Sequence, residues 1–258
     1  MSEQANPSVE NPMGVEGTAL EPIGDVILGK VDPKTLTKEE FAKSPDVLFH
    51  GAAKPFNYSP QYDYNSPEYY TEADGSQTIG QGFYTTNNRE AAINYSSVRQ
   101  LGEKKEPVVL TLLPYQAKVL DLRAKNDNTR NASIPRTLFE KWRKFFTDYY
   151  HSSSRQNLPW YITSNEAEYL LYLARVSKLD QVDLRIMLET APKAEVKSRN
   201  LPSPPWTNLF SNFMKQEGYD GLVYIEGGED QSRKGHASFV FYNLEKIGTY
   251  ESWHNSTK

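Results

Sequence analysis

The sequence predicts an α+β chain. Short apolar runs with strand character occur at residues 47–49, 108–113, 222–225 and 239–242. They flank a block whose apolar residues recur at helical spacing, at Leu138, Trp142, Phe145, Phe146 and Tyr149, and again at Ala167, Leu170, Leu171 and Ala174. Hydrophobic residues make up only 38% of the chain, but 17 Tyr and 11 Phe are among its aromatics. Each buries a large area, so a core can still be built.

Residues 1–24 are rich in Pro, Gly, Asn and Glu and short of large apolar side chains, which predicts a disordered tail. The folded domain is expected over 25–251, with a fraying end over 252–258. Thr37-Lys38-Glu39-Glu40 has capping-box spacing, so a short helix should start there and stop near Ser44, ahead of Pro45. Residues 47–49 follow as a buried strand. Residues 54–78 mix Tyr, Pro, Asp, Asn and Ser without a period and read as a long loop, either functional or a surface decoration. Residues 108–113 and 117–122 are strands. The helical block, about 130–200, is expected to pack beside the strands rather than form a domain of its own. Residues 152–165 read as a polar loop inside it, and 201–206 as a Pro-rich connector. A helix over 208–216 should stop at Gly218. Strands at 222–225 and 239–242 are joined by a Gly- and charge-rich loop.

Composition excludes several chemistries. There is no cysteine, hence no disulfide, no thiolate nucleophile and no Cys-ligated zinc. Spacing suited to a metal cluster is not found either. Net charge is −4, which offers no basic field for broad nucleic-acid binding. Residues 1–20 lack a basic-then-apolar arrangement, and no window approaches the roughly 18 apolar residues of a membrane span. A cytoplasmic protein, or one delivered into a cytoplasm, is expected, with no membrane partner.

Two segments carry chemistry. Val47-Leu48-Phe49-His50-Gly51-Ala52 ends an apolar strand in an imidazole beside bare backbone. Gly80-Gln81-Gly82-Phe83-Tyr84-Thr85-Thr86 places a phenol beside another bare backbone and runs into a helix containing Ala91, Ala92 and Tyr95. Gly80-Gln81-Gly82 is not a dinucleotide fingerprint, because no third glycine follows and the segment leads into a strand. Later come Gly218-Tyr219-Asp220-Gly221-Leu222-Val223-Tyr224 and Gly235-His236-Ala237-Ser238-Phe239-Val240-Phe241-Tyr242-Asn243.

In this order the segments resemble the His-Tyr-Glu branch of the ADP-ribosyltransferase superfamily, the diphtheria-toxin and poly(ADP-ribose)-polymerase type. The resemblance covers roughly residues 47–95 and 217–247. It implies two antiparallel sheets forming a split β-sandwich cleft, with the helical block as an insertion, and NAD as substrate. It places His50 on the adenosine-side ribose, Gly51 on the nicotinamide carboxamide, and Tyr84 and Tyr95 against the nicotinamide ring, with Thr85 in the same cofactor-binding set. Where the family carries its catalytic Glu, this chain has Ser238. Two residues earlier, His236 falls where the family helps select the acceptor. Glu226 and Glu229, in the loop before this strand, are the nearest sources of a carboxylate, or else residues of a solvated turn.

The residue types suit cleavage of the NAD glycosidic bond, whose departing nicotinamide leaves a cationic ribose. Such a site must grip, bend and stabilise charge. An aromatic pair can sandwich the pyridinium. The expected activity is transfer of a single ADP-ribosyl unit to an acceptor, a protein rather than a nucleic acid. Three alternatives stay open: a catalytically decayed NAD-binding module, an NAD glycohydrolase, and an interaction protein on the same scaffold.

Overall fold

The computed structural model describes residues 24–52, 58–60, 82–98, 108–123, 134–152, 160–178, 205–226 and 235–255. The expected tail, up to residue 23, most of the 54–78 loop, and Glu229 lie outside them. In chain order come β1 (Asp25–Leu28), α1 (Lys38–Ala42), β2 (Leu48–Ala52), β3 (Phe83–Thr86), α2 (Arg89–Val98), β4 (Val108–Pro114) and β5 (Ala117–Asp121). Then follow α3 (Arg136–Ser152), α4 (Trp160–Val176), α5 (Pro205–Gln216), β6 (Gly221–Glu226), β7 (His236–Phe241), β8 (Ile247–Gly248) and α6 (Tyr250–Asn255).

Local signals place many of these ends. Thr37 caps α1 in a full capping box, with Glu40 reaching back to the Thr37 amide. Pro205 opens α5, where its missing N–H costs nothing. At the other end Gly218 takes φ +82°. The Tyr219 amide bonds the Met214 carbonyl and the Gly218 amide bonds the Lys215 carbonyl, which is a Schellman stop. Helix α4 starts at Trp160, inside the stretch expected to be loop. Its buried face also differs from the expected stripe. Tyr169, Leu173 and Val176 are inside, while Leu171 is 62% exposed. Strand β1 lies outside the predicted strands although three of its four residues are apolar; it sits at the end of the strand order, and its residues alternate between exposed and half-buried.

The strands pair in the order β1-β5-β6-β7-β3-β2-β4-β8. The expectation of wholly antiparallel sheets fails at β5 and β6, which run parallel with Val119 opposite Gly221. The helical block explains this. A parallel neighbour needs a long crossover, and α3, α4 and α5 lie within it. The sheet must also curl. Strands β4 and β5 stand five places apart in the order, about 24 Å if the sheet were flat. Yet Tyr115 and Gln116 alone join Pro114 to Ala117, a reach of at most ~11 Å.

The curl encloses one core, built from Leu48, Phe83, Leu112, Val119, Val223, Phe239, Phe241 and Ile247. Tyr58 closes part of it, its ring against Phe83 and its hydroxyl on the Leu244 and Ile247 carbonyls. On the outer face Leu222, Tyr224, Val240 and Tyr242 join the helices in a second core, shared by sheet and insertion. Trp142 sits at its centre, against Phe145, Phe146, Phe210 and Phe213.

Candidate active site

Strand β2 stays paired with β4 through Ala52 but meets β3 in one register pair, Phe49 with Thr86. Beyond that pair the two strands part. His50 stands at this opening. Its ring stacks on Phe83 with centroids 4.4 Å apart, and its Nδ1 lies 2.7 Å from the Tyr84 carbonyl oxygen. A carbonyl can only accept, so Nδ1 carries the hydrogen of this contact.

Tyr84 and Thr86 share one face of β3, since alternate residues point the same way. Tyr84 packs on the outer core beside the helices. Thr86 Oγ1 donates to the Ala237 carbonyl at 2.9 Å and accepts the Asn88 amide at 3.1 Å. Asn88 Oδ1 in turn accepts the Ala91 amide, and this cap launches α2. Alternation turns Thr85 to the opposite face, where it is buried and its hydroxyl has no partner. It does not share the face of Tyr84.

Helix α2 delivers Tyr95 and is held very close to β2. A Cβ on Gly51 would lie 1.9 Å from the Ala92 carbonyl oxygen and 3.1 Å from the Ser96 nitrogen. The helix crossing by itself thus requires a glycine at this position. Tyr95 is 37% exposed, hence not a core residue. Its hydroxyl is 3.5 Å from His236 Nε2, at the outer limit of a hydrogen bond, with ring centroids 6.1 Å apart.

Strands β6 and β7 supply the rest. Tyr224 is opposite Ser238, Glu226 opposite His236, and Thr86 of β3 also opposite Ser238. All five side chains therefore project from one face. Ser238 Oγ donates to Glu226 Oε2 at 2.8 Å, and the Tyr224 hydroxyl reaches the same oxygen at 3.3 Å. Burial, then the Glu226 charge, raise the Tyr224 pKa well above its usual value, so the phenol stays protonated and donates. Tyr84 and Tyr95 are close enough to oppose its ionisation too. Burial lowers the His236 pKa more than the Glu226 charge raises it, which keeps the imidazole neutral near pH 7.

Glu226 is thus the last residue of a strand, not part of a solvated turn. The sequence reading did not single out Tyr224, although its place two residues before Glu226 puts both on one face of a strand. The Gly218–Gly221 segment is a structural joint. Asp220 accepts the Lys118 amide and the Asn243 side-chain amide, and Tyr219 donates to Asp25.

No protein-family model matches the chain, and no curated protein or solved structure matches it. Among the described residues no helix is long and apolar enough to cross a membrane. None of their His, Asp and Glu side chains gather in threes as a metal-holding group.

Proposed function

We propose that this chain transfers an ADP-ribosyl unit from NAD to an acceptor nucleophile, on a split-sheet scaffold of the ADP-ribosyltransferase kind. The observation that carries the reading is the Glu226 carboxylate, 2.8 Å from Ser238 Oγ. A carboxylate beside Ser238 supports the reading, because the resemblance calls for one at that position, where this chain has a hydroxyl. Around it stand Tyr84, Tyr95, Tyr224 and His236, with His50 joined to the Tyr84 main chain.

In the proposed reaction the bond between the ribose C1′ and the nicotinamide nitrogen breaks. The electron pair leaves with nicotinamide. The acceptor bonds to C1′ and gives up a proton. Glu226 stabilises the positive charge that develops on the ribose, an oriented electrostatic effect. Tyr95 and Tyr84 offer ring faces to the pyridinium. His50 holds a ribose hydroxyl, as the resemblance implies. The neutral imidazole of His236 stands beside Glu226, placed to receive the acceptor's proton. The acceptor we expect is a protein.

Labelled NAD tests this. Wild-type chain incubated with it and candidate protein acceptors should yield labelled protein, and E226Q should lower the rate by about 10²-fold or more. Free ADP-ribose alone would mean a glycohydrolase. Saturable binding without turnover would mean a decayed module. No binding at all would refute the reading.

A further inference from the structure

We infer that Ser238 and Tyr224 are positioning residues, two hydroxyl donors that fix the Glu226 carboxylate for the reaction. The inference rests on the transfer reading above. A glutamate at the end of a strand has three side-chain torsions, and an unheld carboxylate would spread over many rotamers. Here two donors from rigid strands converge on one oxygen, Oε2, at 2.8 Å from Ser238 and 3.3 Å from Tyr224. Both donors are buried, at 3% and 4% exposure, so neither wanders. Oε1 is bound by neither and is the oxygen left for a ribose hydroxyl.

The arrangement also explains why a serine suits position 238. Ser238 and Glu226 lie on neighbouring strands one register step apart along the same face. A second carboxylate at 238 would sit against the first. Like charges at that separation cannot both stay ionised, so one would take up a proton. The hydroxyl is the partner that tolerates the Glu226 charge and holds it in place.

Three comparisons test the inference. S238A should lower kcat for NAD cleavage about tenfold, the scale of one hydrogen bond to a charged group, while the KM for NAD and the melting temperature hold. S238T should restore kcat, and Y224F should change it in the same sense as S238A. In an E226Q background S238A should have no further effect, because its role runs through the missing carboxylate. Finally, S238E should lower turnover at least tenfold, and E226Q/S238E should recover at least tenfold over E226Q. Full kcat in S238A, an equal loss with and without Glu226, or a rise in S238E overturns the positioning role. An NMR signal from the Ser238 hydroxyl proton, slow to exchange in the wild type and lost in E226A, which removes the acceptor, reports the contact without any turnover. If that signal is present but the wild type cleaves no NAD, the transfer reading fails and the contact stands. If E226A leaves the signal unchanged, the positioning role fails whatever the activity.

Discussion

Replacing Gly51 by alanine separates two roles for one residue. As a ligand-facing glycine it would tolerate a methyl group in the protein without ligand, and only binding would suffer. The geometry says otherwise. The new Cβ would lie 1.9 Å from the Ala92 oxygen and 2.8 Å from its carbonyl carbon. Both are main-chain atoms of α2, so no rotamer change relieves the clash. Ordinary van der Waals contact would require α2 to retreat by more than about 1 Å. Overpacking of this kind costs about 1–3 kcal/mol. At about 2–4 °C per kcal/mol for a chain of this size, G51A should melt roughly 2–12 °C lower. The retreat carries Tyr95 with it, away from His236, and a misplacement of about 1 Å in a reacting site can cost ~10²-fold in rate. Thermal unfolding followed by circular dichroism, with NAD turnover on the same samples, makes the comparison. A G51A variant with unchanged melting temperature would refute the packing role, and lost NAD binding in that same variant would return Gly51 to the ligand.

Tyr95 is exposed enough that Y95A should leave the melting temperature within a degree or two while NAD turnover falls at least tenfold; Y95F should keep most activity, because the ring face makes the contact. A matching loss of stability in Y95A would mean a structural role. Trp142 is 1% exposed and packed by four phenylalanines, so W142A should destabilise by about 3–5 kcal/mol and W142F by less, read as shifts in urea midpoint. The depressed pKa of His236 sets a pH dependence. Near neutral pH both folded and unfolded states hold it uncharged. As pH falls from about 6.5 the unfolded state takes the proton first, and stability declines until pH passes below the folded-state pKa. H236Q should flatten the urea midpoint between pH 7.5 and 5.5, and E226Q should steepen its fall. The lowered carboxylates Asp25 and Glu251 act only at more acid pH. An H236Q profile parallel to the wild type would exclude this residue as the cause.

Where signals are local, the sequence settled the answer. Thr37 and Glu40 cap α1 because donor and acceptor lie three residues apart. Gly218 ends α5 because glycine takes the positive φ that the stop requires. Strands β4 and β7 announce themselves by apolar runs. The His50-Gly51 and Tyr84 segments form two neighbouring strands, and Tyr95 lies on the helix that follows the second. The stripe on α4 is the exception: Leu171 is apolar, and only its neighbours in space decide that it faces out.

Tertiary structure decided the rest, since strand pairing joins residues that no window along the chain connects. The parallel pairing of β5 with β6 depends on the helical crossover between them, and the curl on a two-residue link between β4 and β5. Gly51 owes its identity to a carbonyl forty-one positions away, at Ala92. The carboxylate of Glu226 reaches Ser238 only because β6 and β7 pair in a register that sets Tyr224 opposite Ser238. In sequence Ser238 stood as a gap in a motif. A shift of one residue in that register would have turned Glu226 to the other face of the sheet and left the serine alone.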